Sequence, residues 1–540
     1  MGIAFAPRNS LIPGGTGDVQ PEWDRPANTR NAAARDWVCW TQAAICIAVF
    51  IIALWAGRNV NPLNPDTPSY LYFDPSRSVG YPAFLWLLKL LTGHVAAAVP
   101  AQMAVLALSL FLLGRSFHDL VGRRRLSLFF QILLVSSPDL WRFSAELMTE
   151  ALATASVALW CAQLLSLIKR PSQRGRLLLA FISAGGMLVR PSLAVLFAGS
   201  ALAALLLKSR WQRTSAVAAL VPIGLAAYLL TPLALLIVHG SPIATSPIAR
   251  GVLQHTLFCD GIATLGDADA DADFVDRDSA DVRHYVDSAP ADVGLGLQHL
   301  YSAPLRFDSI IPALGRLHNF HAGWQTDPIL TRVTRERVLA NPGCYAESVL
   351  RNYWELATQA SLHVGAEGRT VDQFLATHPP LRIASVPLLP SDSQELRRAA
   401  AELDVAPPGE HPAIGHFGTK GSPLLLLLGR ALYGATALLG FAALAALIVR
   451  RGTRHRTLVA MAAMGLVFHA LFLGTAAVEL SLIRYTIPAW PIVCTVLIMA
   501  FAALRLRNQS SATSSILGTA NAHHSPPNSD TAAAIPNALP

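Results

Sequence analysis

Charged and aromatic residues gather at four separate places in an otherwise strongly apolar chain, and their types point to one chemistry. The first place is NPDTPSYLYFDPSRSVGYPAF (Asn64–Phe84), which carries Asp66, Asp74, Arg77 and the tyrosines Tyr70, Tyr72 and Tyr81. Asp139, Arg142, Glu146 and Glu150 make the second, Arg190 the third, and Glu479, Arg484 and Tyr485 the fourth. A carboxylate can accept the proton of an attacking hydroxyl. A guanidinium can hold a phosphate through paired N–H bonds and offset its charge as it leaves. Both groups together suit transfer from a phosphate-linked donor, and a lipid-linked phosphate sugar would hold its tail in a bilayer and its head at such a site.

The elements that must position these residues are membrane helices. Of 540 residues, 53% are hydrophobic and 14% charged, against about 25% charged in soluble domains. Mean hydropathy is +0.41. The composition therefore argues against a large soluble enzyme. The formal charge of +8 resides in short basic loops between apolar runs, as the positive-inside rule expects. No basic patch interleaved with aromatics would track a phosphodiester backbone, so nucleic acid is not an expected partner.

Apolar runs predict about ten helices: Val38–Gly57, Val95–Leu113, Leu126–Ser137, Leu147–Ile168, Leu177–Val189, Leu193–Leu207, Ala216–Val238, Leu424–Val449, Leu458–Ala476 and Thr486–Leu504. A shorter apolar stretch, Tyr81–Leu91, precedes the second. The third and fifth are short enough to be re-entrant. With the basic loops held inside, both termini are cytoplasmic and all four polar groups face outward. The expected location is the inner (plasma) membrane, with multiple passes. Residues 1–36 read as a disordered cytoplasmic tail without a cleavable signal, and 508–540 as a second one. Helices one to seven fill 37–238, with the first outer loop at 58–94, and helices eight to ten fill 423–507.

Between helices seven and eight, residues 239–422 read as an extracytoplasmic, mostly helical domain. LRFDSIIPALGRLHNF and TRERVLANPGCYAESVLRNYWELATQA carry helical spacing of apolar residues. Cys259 and Cys344 fall there and could bond in an oxidising compartment. Cys46, Cys161 and Cys494 read as buried hydrophobes. The alternating aspartates of 266–278 lack the glycine and the glutamate that a calcium loop needs at its sixth and twelfth positions. His318 and His321 read as surface or packing residues.

PDTPSYLYF followed by RSVGYPAFLWLL resembles the first-loop signature of GT-C superfamily glycosyltransferases. The bacterial relatives it is most similar to are those like dolichyl-phosphate-mannose protein mannosyltransferases and aminoarabinose transferases. Asp66, Tyr70 and Gly80-Tyr81-Pro82 match that signature. Thr149-Glu150, Arg190-Pro191 and Arg484-Tyr485 with Pro488 match further family features in the same order. The resemblance implies an all-α polytopic membrane protein with a GT-C-like bundle. It implies inverting transfer of a sugar from a polyprenyl-phosphate donor to an extracytoplasmic lipid, glycan or protein.

By that likeness Asp66 takes the general-base position, with Asp74 and Glu150 as the other catalytic carboxylates. Arg77, Arg190 and Arg484 would meet the donor phosphate, and Tyr70, Tyr81, Glu146 and Tyr485 would position substrates. Some relatives use a divalent metal and others none, and the residues leave that cofactor open. Partners are then the lipid-linked donor, membrane lipid and an acceptor of open identity. Two other readings share parts of this pattern. A surface-polysaccharide polymerase or ligase would also carry outer arginines, and a transporter or flippase could use His469 within helix nine.

Overall fold

A computed structural model describes residues 32–57, 67–71, 73–75, 77–206, 210–240, 252, 255–256, 327–358, 423–449, 456–478 and 483–504. Asp66, Glu479, Cys259, His318, His321, the 266–278 loop, LRFDSIIPALGRLHNF and both predicted tails beyond the first helix lie outside the described residues.

The described residues are helical throughout. In chain order the helices are α1 (Ala32–Gly57), α2 (Thr67–Leu71), α3 (Gly80–Thr92), α4 (Ala98–Val121), α5 (Arg124–Val135), α6 (Pro138–Ser144), α7 (Glu150–Lys169), α8 (Gln173–Val189), α9 (Val195–Leu206) and α10 (Arg210–His239). After a gap come α11 (Asp327–Ala340), α12 (Pro342–Ala357), α13 (Pro423–Val449) and α14 (Arg456–Val478). The last, α15, spans Ile487–Leu504.

Seven stretches among the described residues are long and apolar enough to cross a membrane: Trp37–Gly57, Val95–Val121, Glu150–Lys169, Leu220–His239, Leu427–Val449, Thr457–Val478 and Ile487–Leu504. The other three predicted spans are helices, but short ones. α5 and α9 have 12 residues each, about 18 Å of rise against a hydrocarbon layer of about 30 Å. α8 has 17 residues. Proline accounts for two of the breaks: Pro138 opens α6 just after α5, and Pro191 opens a 3-10 turn just after α8. A proline has no N–H to continue the preceding helix and holds the residue before it extended.

The core forms around α7, which packs on α4 and α8 and buries Trp160 completely. The Trp160 indole donates to the Ser200 hydroxyl of α9 at 2.9 Å, so its one polar group is satisfied where no water reaches. α1, α10 and α13 are peripheral and expose Trp40, Trp55, Leu229, Ile237, Leu438 and Phe441. Such faces suit a lipid solvent. α13 and α14 cross at glycine: a Cβ on Gly465 would stand 2.6 Å from the Gly440 Cα. Small residues let membrane helices approach to backbone contact in this way.

Of the 239–422 region, the described part is helical and packs on the bundle. The Tyr345 hydroxyl of α12 donates to the Ala477 carbonyl at 2.8 Å, and the Asn352 amide donates to the Ala476 carbonyl at 3.1 Å. Asn341 caps α12 by accepting the Cys344 N–H at 3.1 Å. Cys344 is disulfide-bonded.

Candidate active site

Contacts between helix ends define two ends of the bundle. At one end Lys169 of α7 donates to the Asp119 carbonyl of α4, and Gln163 donates to the Gly175 carbonyl near the start of α8 at 2.8 Å. The basic clusters Arg123–Arg125 and Arg174–Arg176 belong here. The other end gathers the starts of α3, α4 and α7 with the finishes of α8, α10 and α14, and the candidate site residues belong there.

Glu150 is the first residue of α7, where the helix N-terminus favours a negative charge. Arg190 follows the last turn of α8 with extended backbone, φ −148° and ψ 116°, as Pro191 requires. The two side chains meet at 3.5 Å between Arg190 Nη1 and Glu150 Oε1, with 16% and 3% of each exposed. The other Glu150 oxygen, Oε2, is buried and has no hydrogen-bond partner among the described residues. An unmet buried acceptor costs about 1–3 kcal/mol, more if charged.

Tyr485 completes this group. It ends a 3-10 turn, Ile483–Tyr485, that is tied to α13 through the Tyr433 hydroxyl donating to the Thr486 carbonyl at 2.9 Å. The Arg190 guanidinium lies 4.9 Å from the Tyr485 ring centre and that of Arg484 lies 5.0 Å from it. Arg484 Nη2 also donates to the Tyr485 hydroxyl at 3.1 Å. Two cations thus share one aromatic ring, whose quadrupole offsets part of their repulsion.

The first loop is held beside this group by five contacts. The Thr67 hydroxyl donates to the Leu147 carbonyl at 3.2 Å, and that of Ser78 donates to the Val189 carbonyl, next to Arg190, at 3.0 Å. The Val79 N–H meets the Thr231 hydroxyl at 3.5 Å. His239 lies 2.8 Å from the Phe73 carbonyl. A carbonyl only accepts, so Nε2 of His239 carries the proton. Phe73 itself adopts φ 48°, a costly conformation for a bulky side chain. Gly80 touches the end of α8 so closely that a Cβ would stand 2.5 Å from the Leu188 carbonyl oxygen. Only glycine lets α3 start there.

Inside the loop, Arg77 donates from Nε to the Ser69 hydroxyl at 2.7 Å and from Nη1 to the Tyr70 hydroxyl at 3.3 Å, with its guanidinium 4.6 Å from the Tyr70 ring centre. Asp74 is buried; its carbonyl accepts the Arg77 N–H at 2.8 Å. Tyr70 meets Tyr81 edge-on at 5.0 Å. The Tyr81 hydroxyl donates to Gln102 Oε1 at 2.9 Å, and the Gln102 amide donates to the Ser144 and Glu146 carbonyls at 2.7 and 2.6 Å. Burial pushes the Tyr81 phenol well above its ordinary range, and the nearby Tyr70 and Glu150 push it further.

Glu150, Arg190, Arg484 and Tyr485 therefore form one cluster, and Tyr70, Asp74, Arg77 and Tyr81 form a second in the adjoining loop. Glu146 is fully buried between them, its main chain held by Gln102. Gln102 was not singled out from sequence, although an amide inside an apolar run was a usable signal. His239, read only as a boundary, anchors Phe73. His469 is engaged on both nitrogens, by the Tyr353 hydroxyl at 2.7 Å and the Ala437 carbonyl at 3.2 Å. Among the described residues no three His, Cys, Asp or Glu side chains come together as a metal site would need. Comparison with protein-family models, with curated proteins and with solved structures finds no match to this chain.

Proposed function

We propose that this multi-pass membrane protein is a glycosyltransferase that moves a sugar from a polyprenyl-phosphate donor to a hydroxyl-bearing acceptor on the extracytoplasmic side. The observation that carries the reading is the cluster at one end of the bundle. A buried carboxylate with one oxygen on Arg190 and the other unmet sits beside two guanidiniums that share Tyr485. Guanidiniums are the groups that bind an anionic donor phosphate through paired N–H bonds.

In the proposed reaction the acceptor oxygen attacks the anomeric carbon as the bond from that carbon to the phosphate oxygen breaks. The electron pair leaves with the polyprenyl phosphate, whose charge Arg190 and Arg484 offset. The acceptor proton passes to a carboxylate. The family resemblance gives that role to Asp66; Asp74, Glu146 and Glu150 are described carboxylates of the site end. Attack opposite the departing phosphate inverts the anomeric centre. The disulfide at Cys344 supports an oxidising compartment for the α12 side of the bundle. The carrier reading rested on His469, and its two ring contacts favour a packing role for it.

The test is sugar transfer in membranes from cells making Asp66→Asn, Arg190→Ala or the unaltered chain, with lipid-linked sugars and surface glycans compared by mass spectrometry. Loss of product with build-up of the lipid donor is expected for both variants. An unchanged glycan profile in both, in cells whose profile changes when the protein is deleted, overturns the transferase reading. Loss with Arg190→Ala alone moves the base to Asp74 or Glu150.

A further inference from the structure

The end of the bundle away from the proposed active site holds a cavity of about 300 Å³ lined by Arg123, Arg124, Arg125, Leu126, Phe501 and Ala502. Three features give it the shape of a lipid. Its polar wall is three consecutive arginines at the start of α5, whose first turn contains no acidic residue. Cations at a helix N-terminus face the positive end of the helix dipole, a setting that favours an anion among them. Below the arginines, α5 continues with Phe129 and Ile132, which are 55% and 52% exposed. At i+4 and i+7 from Arg125 they share its side of the helix. The opposite wall is α15, which runs antiparallel to α5: the Trp490 indole donates to the Leu134 carbonyl at 3.0 Å, while Phe501 reaches the arginines.

We propose that this groove binds an anionic phospholipid, with the phosphodiester against Arg123–Arg125 and an acyl chain along Phe129 and Ile132. A soluble phosphate compound would use the arginines but not Phe129 and Ile132, which lie outside the cavity lining on the exposed face below Arg125, and that face selects the lipid. Basic pockets between membrane helices commonly take such head groups. The inference is independent of the proposed transferase activity, which belongs to the other end.

The full chain is reconstituted in nanodiscs of phosphatidylcholine with a minor fraction of phosphatidylglycerol, and spin-labelled forms of each lipid report relative association at the protein surface. The expected result is about a tenfold preference for phosphatidylglycerol, falling to about twofold when Arg124→Gln and Arg125→Gln are combined. Arg124→Lys with Arg125→Lys keeps the charge that orients the protein and is expected to retain most of the preference. Arg174→Gln with Arg176→Gln, in the neighbouring basic loop, is expected to leave it intact. No preference in the unaltered chain overturns the proposal, whether or not the variants insert. So does an equal fall in the Arg174/Arg176 variant, which reduces the effect to general surface charge. Displacement of the labelled lipid by millimolar glycerol phosphate alone would assign the cavity to a soluble anion and overturn it as well.

Discussion

The two ends of this bundle carry positive charge in different ways. At one end Arg190 is largely buried and reaches across helices to Glu150 of α7 and Tyr485 of the 3-10 turn before α15. At the other, Arg124, Arg125 and Arg170 are exposed at the surface. Both ends are arginine-bearing, and a count of residues does not separate them. What separates them is desolvation and the number of chain segments that converge on each guanidinium. A charge removed from water persists only where something compensates it, and Glu150 and the Tyr485 ring do so for Arg190, while the exposed arginines of the other end keep their water.

Breaking the comparison begins with Arg190. Arg190→Ala removes the proposed donor-phosphate contact and leaves Glu150 buried without its cation. Transfer of labelled sugar in membranes is expected to fall about 100- to 1000-fold. Gly80→Val comes next. The added carbons meet backbone of α8, which has little room to yield, and a loss of about 3 kcal/mol is expected as a lower thermal midpoint by fluorescence-detected size exclusion. Gly93 sharpens that result. It has φ +79° with nothing within 4 Å of an added Cβ, so Gly93→Ala strains only the backbone and is expected to cost about 1 kcal/mol. Tyr81→Phe lies between these two. It leaves Gln102 Oε1 without its donor, and a loss of about 1–2 kcal/mol is expected on the same scale. Arg170→Ala at the opposite end is expected to stay within about 0.5 kcal/mol and to leave transfer unchanged. Equal losses of transfer from Arg170→Ala and Arg190→Ala would erase the distinction between the ends.

The sequence made the helices and the special nature of one end legible, because apolar runs and basic loops are local signals. It named Glu150, Arg190, Arg484 and Tyr485, yet their meeting is a long-range fact that no spacing encodes. The shortness of α5 was legible as well, 12 residues in the apolar run and in the helix, whereas α8 runs to 17 residues, past its 13-residue apolar run, and α9 keeps 12 of 15 because Pro191 opens a 3-10 turn before it. Tyr81 and Arg77 illustrate a further limit. Residue type marked them as candidates for substrate contact, but their polar atoms are engaged on Gln102, Ser69 and Tyr70, partners that only the packing of α3 against α4 and the turn of the loop supply. Gln102 and His239 were missed for the converse reason: each holds main-chain carbonyls, which leave no mark in residue types, although an amide inside an apolar run was itself a signal for Gln102, which also takes the Tyr81 hydroxyl.

The position of Tyr485 also has a consequence in time. It lies about 300 residues after Arg190, and at ~5–20 residues per second a ribosome takes roughly 15–60 s to make that stretch. During this interval α7 and α8 are already in the membrane, and the aromatic ring that will sit beside Arg190 does not yet exist. Glu150 and Arg190 come from neighbouring helices and can pair as soon as both have emerged. The early pair shields two charges from lipid while the rest of the chain is built, and the Ile483–Tyr485 turn then sets its ring beside an arginine paired up to a minute before.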